Sequence, residues 1–213
     1  MSDATPSGHL ALPSGNSGPG VLVLHPWWGL SPAVREACDR LARHGYVAYA
    51  PDLYHGQLVS TVDEAQAMVD KLDGKAAAAD IARAVDLLAA RSTSEGLGVV
   101  GFSLGAFFAL RLSAGDPDRI KAVTLFYGTG DGEFDKAKAA YLGHFAENDP
   151  YEPAEGVNWL EGALKTAGRP TSFHRYSGVG HWFCEADRPD AYNEAAAELA
   201  WSRTLEFFGT NLK

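Results

Sequence analysis

An α/β fold is what this sequence predicts: a mostly parallel central sheet, helices on both of its faces, and a single domain over residues 1–213. Short apolar runs rich in β-branched residues alternate with helical patterns of about ten or more residues, and connections of that length join parallel strands by right-handed crossovers. With 46% of its 213 residues hydrophobic, the chain can bury one large core, and no repeat, low-complexity tract or long linker divides it.

The elements follow in order. GHLALPSGNSGPG, from Gly8, reads as an outer strand and a turn ahead of the main series, and GPGVLVL as the first main strand. In SPAVREACDRLARHG, Ser31 is placed to cap a helix, Pro32 to open it and Gly45 to end it, while Val34, Cys38 and Leu41 share a face. YVAYA is the next strand. Two helices follow, Val62 to Leu72 and Lys75 to Arg91, the second with Ile81, Val85 and Leu88 on one side. LGVVGF returns as strand. The LGAFFALRLSAG that follows is apolar nearly all round, which predicts a helix buried in the middle of the molecule. KAVTLFYG, YLGHFAE and TSFHRYS supply further strands. Between the last two, a helix carries Val157, Leu160 and Leu164 on one face and Gly168 at its end. A final helix from about Pro189 uses Trp201, Leu205 and Phe208.

Charge and composition remove several function classes. A net charge of −9, with no Lys/Arg cluster, disfavours nucleic acid as a partner. No apolar run approaches the roughly 18 residues of a membrane span. The opening MSDATPSGHL lacks the basic and apolar regions of a signal peptide, so a cytoplasmic location is expected. Cys38 and Cys184 fit neither a zinc pattern nor a disulfide framework and read as small packing residues.

In sheets of this kind ligands bind beyond the carboxyl ends of the strands, so the residues just after each strand carry the functional search. VVGFSLGAFF is such a stretch. G-x-S-x-G between a strand and a helix is the pattern of a nucleophile elbow, in which Gly101 and Gly105 remove the Cβ atoms that would hold strand and helix apart. The alternative for Ser103 is an ordinary turn residue. The Leu104 N–H, at the start of the helix, is placed to hold a developing oxyanion.

A serine hydroxyl needs a histidine base and an acid to orient it. His181, in SGVGHWF, follows the last strand and falls late in the chain, as the order Ser…Asp…His expects. His25 and His55 stand at strand ends but early, His144 and His174 lie inside strands, and His9 and His44 are peripheral; these read as structural or solvated. Asp149 in AENDPYEP is the candidate acid. Its rivals are Glu147, Glu152 and Asp131, and its alternative role is a turn or helix cap before Pro150.

VLVLHPWWGLSP, APDLY, GFSLGA, END before a proline-started helix, and GHWF followed by RPDAYNEAAAELAWSRTLEFF together resemble the dienelactone hydrolase family of α/β hydrolases, over nearly the whole chain. The resemblance implies an α/β-hydrolase fold with a small sheet and no lid domain. It also implies a second oxyanion donor in the loop after the first main strand, which falls on the Trp27 N–H. The family's namesakes carry a cysteine at the elbow and a glutamate in that loop, where this chain has Ser103 and Pro26. The two changes agree with each other, because a serine activated directly by His181 needs no carboxylate to manage a thiol. Namesakes also bind an anionic lactone through an arginine shortly after the catalytic histidine; this chain has Glu185 there and reaches arginine only at Arg188.

The expected function is therefore hydrolysis of small, uncharged carboxylic esters or lactones by Ser103, His181 and Asp149 through an acyl-enzyme, with no metal or organic cofactor. Trp27, Trp28, Tyr54, Tyr127, Trp182 and Phe183 fall at or next to strand ends and are the candidates to wall an apolar pocket, each with ordinary packing as its alternative. His55 reads as a turn cap. The same triad would serve an acyltransferase or a peptidase, and a non-catalytic ligand-binding protein on this scaffold is a reading of a different class.

Overall fold

The structure is a computed structural model and describes residues 7–213. The expectation about a leader segment rests largely on residues 1–6, which lie outside the described residues. The chain runs through β1 (Gly8–Ala11), β2 (Gly20–Leu24), α1 (Pro32–Arg43), β3 (Val47–Pro51), α2 (Val62–Lys71) and α3 (Gly74–Ala89). It continues through β4 (Leu97–Phe102), α4 (Leu104–Gly115), β5 (Ile120–Phe126), β6 (Ala140–Ala146), α5 (Ala154–Thr166), β7 (Thr171–Tyr176) and α6 (Glu194–Asn211). The strands form one seven-stranded sheet in the order β1-β3-β2-β4-β5-β6-β7. Every neighbouring pair is parallel except the edge pair of β1 and β3.

Alternation along the strands sorts the core into two layers. Leu22, Leu24, Val99, Val123 and Leu125 face the helices α3, α4 and α5, whose Ile81, Val85, Ala109 and Leu160 pack on them. Val21, Val23, Val100, Phe102 and Phe126 face α1 and α6, where Cys38, Leu41, Trp201 and Phe208 complete the second layer. A sheet covered on both sides has no solvated face, so β2 through β4 read as continuous apolar runs and are buried throughout. Pro32 opens α1 after Ser31, and Gly45 follows its last turn at φ +93°.

Two expectations are corrected. Helix α4 is not enclosed: Gly105, Ala106, Ala109 and Leu110 are buried against the sheet, while Leu104, Phe107, Phe108 and Leu112 are only half-buried and Arg111 is exposed. The final helix starts at Glu194 rather than near Pro189. Its start is set by Asn193, whose side chain accepts from the Ala196 N–H, while the residues before it are drawn into a turn by the Ala191 and Tyr192 N–H groups donating to the Arg188 carbonyl. Among the described residues no helix is long and apolar enough to cross a membrane.

Candidate active site

Ser103 stands between the end of β4 and the start of α4 with φ +48° and ψ −112°. A non-glycine residue held at positive φ carries strain of about 1–3 kcal/mol, which the surroundings must offset. They do so through the Ser103 N–H, which donates to the Phe126 carbonyl at 2.9 Å, and the Ser103 carbonyl, which accepts from the Ala106 N–H at 2.8 Å. The elbow closes only because its flanks lack side chains. A Cβ on Gly105 would lie 2.1 Å from the Leu24 carbonyl oxygen, and one on Gly101 would lie 2.6 Å from the Gly105 carbonyl oxygen.

Because β4, β5, β6 and β7 are consecutive in the sheet, their carboxyl-end loops meet above one edge. The loop after β7 sets His181 Nε2 3.1 Å from Ser103 Oγ, and the loop after β6 sets Asp149 Oδ2 2.7 Å from His181 Nδ1. An acceptor-only carboxylate requires the proton on Nδ1, leaving the Nε2 lone pair toward the serine hydroxyl. The two side chains are 3% and 1% exposed, so the pair is shielded from water. The other Asp149 oxygen accepts the N–H groups of Tyr151 at 2.8 Å and Glu152 at 3.2 Å, so the turn role coexists with the contact to His181. The rivals go elsewhere: Glu152 accepts from the Thr129 hydroxyl, Asp131 pairs with Arg111, and Glu147 is exposed. Burial pushes the Glu152 carboxyl above its ordinary range.

Leu104 is the first residue of α4, so its N–H has no partner within the helix. The loop that carries Trp27 begins at the Leu24 and His25 carbonyls, the atoms a Cβ on Gly105 would strike, so it passes directly against the elbow.

The predicted pocket aromatics divide. Tyr54, Tyr127 and Phe183 are buried beneath the site: the Tyr54 ring meets His25 at 4.9 Å, and Tyr127 lies between His181 at 5.0 Å and Phe183 at 5.6 Å. Trp28 is buried as well, its face covered by the Arg188 guanidinium at 3.2 Å. Trp27 and Trp182 are half-buried and meet Tyr151, which sequence reasoning passed over. The Tyr151 ring, 43% exposed, lies 5.1 Å from His181 and covers it. Its position two residues after Asp149, in a strand-end loop, was the available signal.

Two buried groups near the site are not part of the Ser-His-Asp contact. Glu185, almost fully buried, accepts the Tyr127 hydroxyl at 2.9 Å and lies 3.7 Å from Arg188. Burial, reinforced by Asp187 and opposed by the Tyr127 hydrogen bond and Arg188, pushes its carboxyl up to about 8. His25 is fully buried between the Pro26 carbonyl and the Leu53 N–H, and burial lowers its pKa. His144 is likewise enclosed, between the Tyr176 and Thr204 hydroxyls. His55 is exposed at a turn held by Asp52. Burial raises the thiols of Cys38 and Cys184, in keeping with a packing role. Among the described residues no cluster of His, Cys, Asp and Glu could hold a metal ion.

The sequence model of the dienelactone hydrolase family matches residues 7–212. Protein usf of Aquifex pyrophilus is 35% identical over 214 residues, covering 94% of this chain and 91% of its own. The carboxymethylenebutenolidase of Rhodococcus opacus is 29% identical over 221 residues, covering 97% of this chain and 86% of its own. A crystal structure of a dienelactone hydrolase-like promiscuous phosphotriesterase from metagenomic libraries matches with a TM-score of 0.86 at 20% identity, over 97% of this chain and 92% of that one, a likeness of fold.

Proposed function

The chain belongs to the dienelactone hydrolase family and is a hydrolase, and from that premise we propose that it cleaves small, uncharged carboxylic esters or lactones with Ser103 as nucleophile. His181 takes the Ser103 proton on Nε2 as Oγ attacks the carbonyl carbon. The Leu104 and Trp27 N–H groups hold the tetrahedral oxyanion. His181 then protonates the leaving alkoxide, and a water repeats the cycle on the acyl-enzyme. Asp149 keeps the imidazole in the required tautomer and stabilises its cation.

The contact chain Ser103–His181–Asp149, at 3.1 and 2.7 Å, carries this reading. The preference for an uncharged substrate is supported by the absence of a free arginine just after His181: Glu185 holds the nearer position, and Arg188 is engaged with Trp28 and Glu185.

The test is intact-protein mass after treatment with a fluorophosphonate, for the native chain, Ser103→Ala and His181→Ala. One adduct on the native chain and none on either variant is expected. An unlabelled, folded native chain would overturn the nucleophile and favour the ligand-binding alternative. Product analysis with an added alcohol acceptor then separates hydrolysis from acyl transfer.

A further inference from the structure

Helix α4 has two apolar faces, one buried on the sheet and one that packs only in part against the core. Ala106, Ala109 and Leu110 pack on the sheet, whereas Leu104, Phe107, Phe108 and Leu112 recur at helical spacing on the outer side and stay half-exposed. A contiguous apolar surface that the fold does not cover marks a place where something apolar binds. These residues line a groove of about 910 Å³ together with Val69 and Leu72, at the end of α2, and Ala78 and Ile81 of α3. Helix α2 buries only Ala65, with Met68 partly buried against the core. Charge in the groove is limited to Asp73, Lys75 and Arg111.

We propose that this groove receives the acyl chain of the substrate and that the preferred esters carry a medium-length apolar acyl group. This rests on Ser103 being the nucleophile. Leu104, which lines the groove, directly follows Ser103 at the start of α4, so the groove's nearest wall begins one residue from the nucleophile. From Leu104 to Leu112 the helix rises about 12 Å, roughly the reach of an eight-to-ten-carbon chain. The walls offer such a chain aliphatic and phenyl surface, with the charged Asp73, Lys75 and Arg111 as the groove's only ionic groups. The aromatic cluster of Trp27, Tyr151 and Trp182, beside His181, leaves the alcohol portion to the other side of the serine.

The test is a series of p-nitrophenyl esters from acetyl to dodecanoyl, run beside alkyl fluorophosphonates of matching lengths, on the native chain and on Ala78→Phe and Leu112→Gln. Ala78 lines the groove from the exposed face of α3, so a phenyl ring there obstructs the groove without entering the core. For the native chain, kcat/KM and the labelling rate rise about tenfold or more from acetyl to octanoyl, since each buried methylene is worth up to about fourfold. Ala78→Phe loses the gain on longer chains, and Leu112→Gln reduces it. Labelling at Ser103 with no chain-length gain, or a gain unchanged in both variants, overturns the groove and leaves the nucleophile standing. No labelling at all overturns both.

Discussion

Asp149 spends its carboxylate on two tasks: Oδ2 lies 2.7 Å from His181 Nδ1, while Oδ1 accepts the N–H groups of Tyr151 and Glu152. The loop that orients the imidazole is thus held in shape by the same side chain that does the orienting.

Replacing Asp149 can separate these tasks. Asparagine keeps an oxygen for the two N–H groups but can present its amide N–H₂ to His181 Nδ1. That forces the ring proton onto Nε2, where it cannot accept from serine. Asp149→Asn should stay as stable as the native chain while kcat falls by roughly 10³–10⁴. Asp149→Ala should lose similar activity and, in addition, about 1–2 kcal/mol of stability through the orphaned turn donors. Urea unfolding beside ester turnover on the two variants decides it; equal stability losses would refute the division.

Glycines at the elbow and on the surface should respond with opposite signs to the same change. At Gly105 an added methyl meets the Leu24 carbonyl at 2.1 Å, a backbone atom that cannot step aside without moving β2. Gly105→Ala should therefore destabilise by about 3 kcal/mol and abolish labelling of Ser103. Gly162, inside α5, has nothing within 4 Å of its added Cβ beyond its own turn of helix. Gly162→Ala should stabilise by about 0.5–1 kcal/mol, the gain from removing backbone freedom in a helix. Denaturant midpoints measure both.

What was readable beforehand follows from how local each signal is. The run SPAVREACDRLARHG holds its opening proline, its buried face and its terminating glycine within fifteen positions, and α1 formed where those signals put it, although Ser31 stands at the cap position without a side-chain hydrogen bond to the helix. The G-x-S-x-G stretch likewise contains its own steric reason. Tyr151 and Phe183 show the limit: both are aromatic residues in strand-end loops, yet one covers His181 and the other is buried under Tyr127. Which way such a ring turns depends on partners distant in sequence. The outer face of α4 failed for a related reason: apolar composition all round predicts enclosure, and whether another element covers the second face is a property of α2, not of α4.

Glu185 should make the protein lose stability as the solution turns alkaline. Its carboxyl titrates at about 8 when folded against a reference of 4.5, so between those values the folded chain holds a proton the unfolded chain has released. Stability from this residue is full below pH 4.5 and falls as pH rises toward 8, by up to about 1.4 kcal/mol per unit. Glu185→Gln keeps an acceptor for the Tyr127 hydroxyl but cannot ionise. It should flatten that slope and exceed the native chain by about 2–4 kcal/mol at pH 8. Unfolding curves at pH 6, 7 and 8 suffice, and parallel slopes in the two proteins would contradict the assignment.

His144 acts in the opposite direction. The Thr204 hydroxyl gives its proton to the Ala200 carbonyl at 2.9 Å, so it accepts from Nε2–H of His144, and Nδ1 accepts from the Tyr176 hydroxyl. Both ring nitrogens are satisfied in the neutral form. Burial, with His174 and Arg203 adding positive charge nearby, holds the pKa well below 6.5. As pH falls below about 6.5 the unfolded chain gains a proton the folded one refuses, and stability drops by up to about 1.4 kcal/mol per unit. His144→Gln should be less stable at pH 7 yet show a shallower decline from pH 6.5 to 5. An unchanged decline would place the acid sensitivity elsewhere, with His25 the next residue to replace.

Tyr151 offers the most direct check on the aromatic cover. Although His181 sits in a loop, its side chain is 3% exposed, and the Tyr151 ring at 5.1 Å is one of the groups that keeps water off it. Water reaching the imidazole and carboxylate raises the local dielectric and weakens their coupling as the cation forms. Tyr151→Ala should therefore lower kcat by about tenfold while Ser103 still labels, an effect of positioning and shielding rather than of chemistry. Tyr151→Phe keeps the ring and should stay within about twofold of the native chain, because the effect belongs to the ring face and not to the hydroxyl. If the phenylalanine variant fell as far as the alanine one, the hydroxyl would be the working group and the shielding account would be wrong.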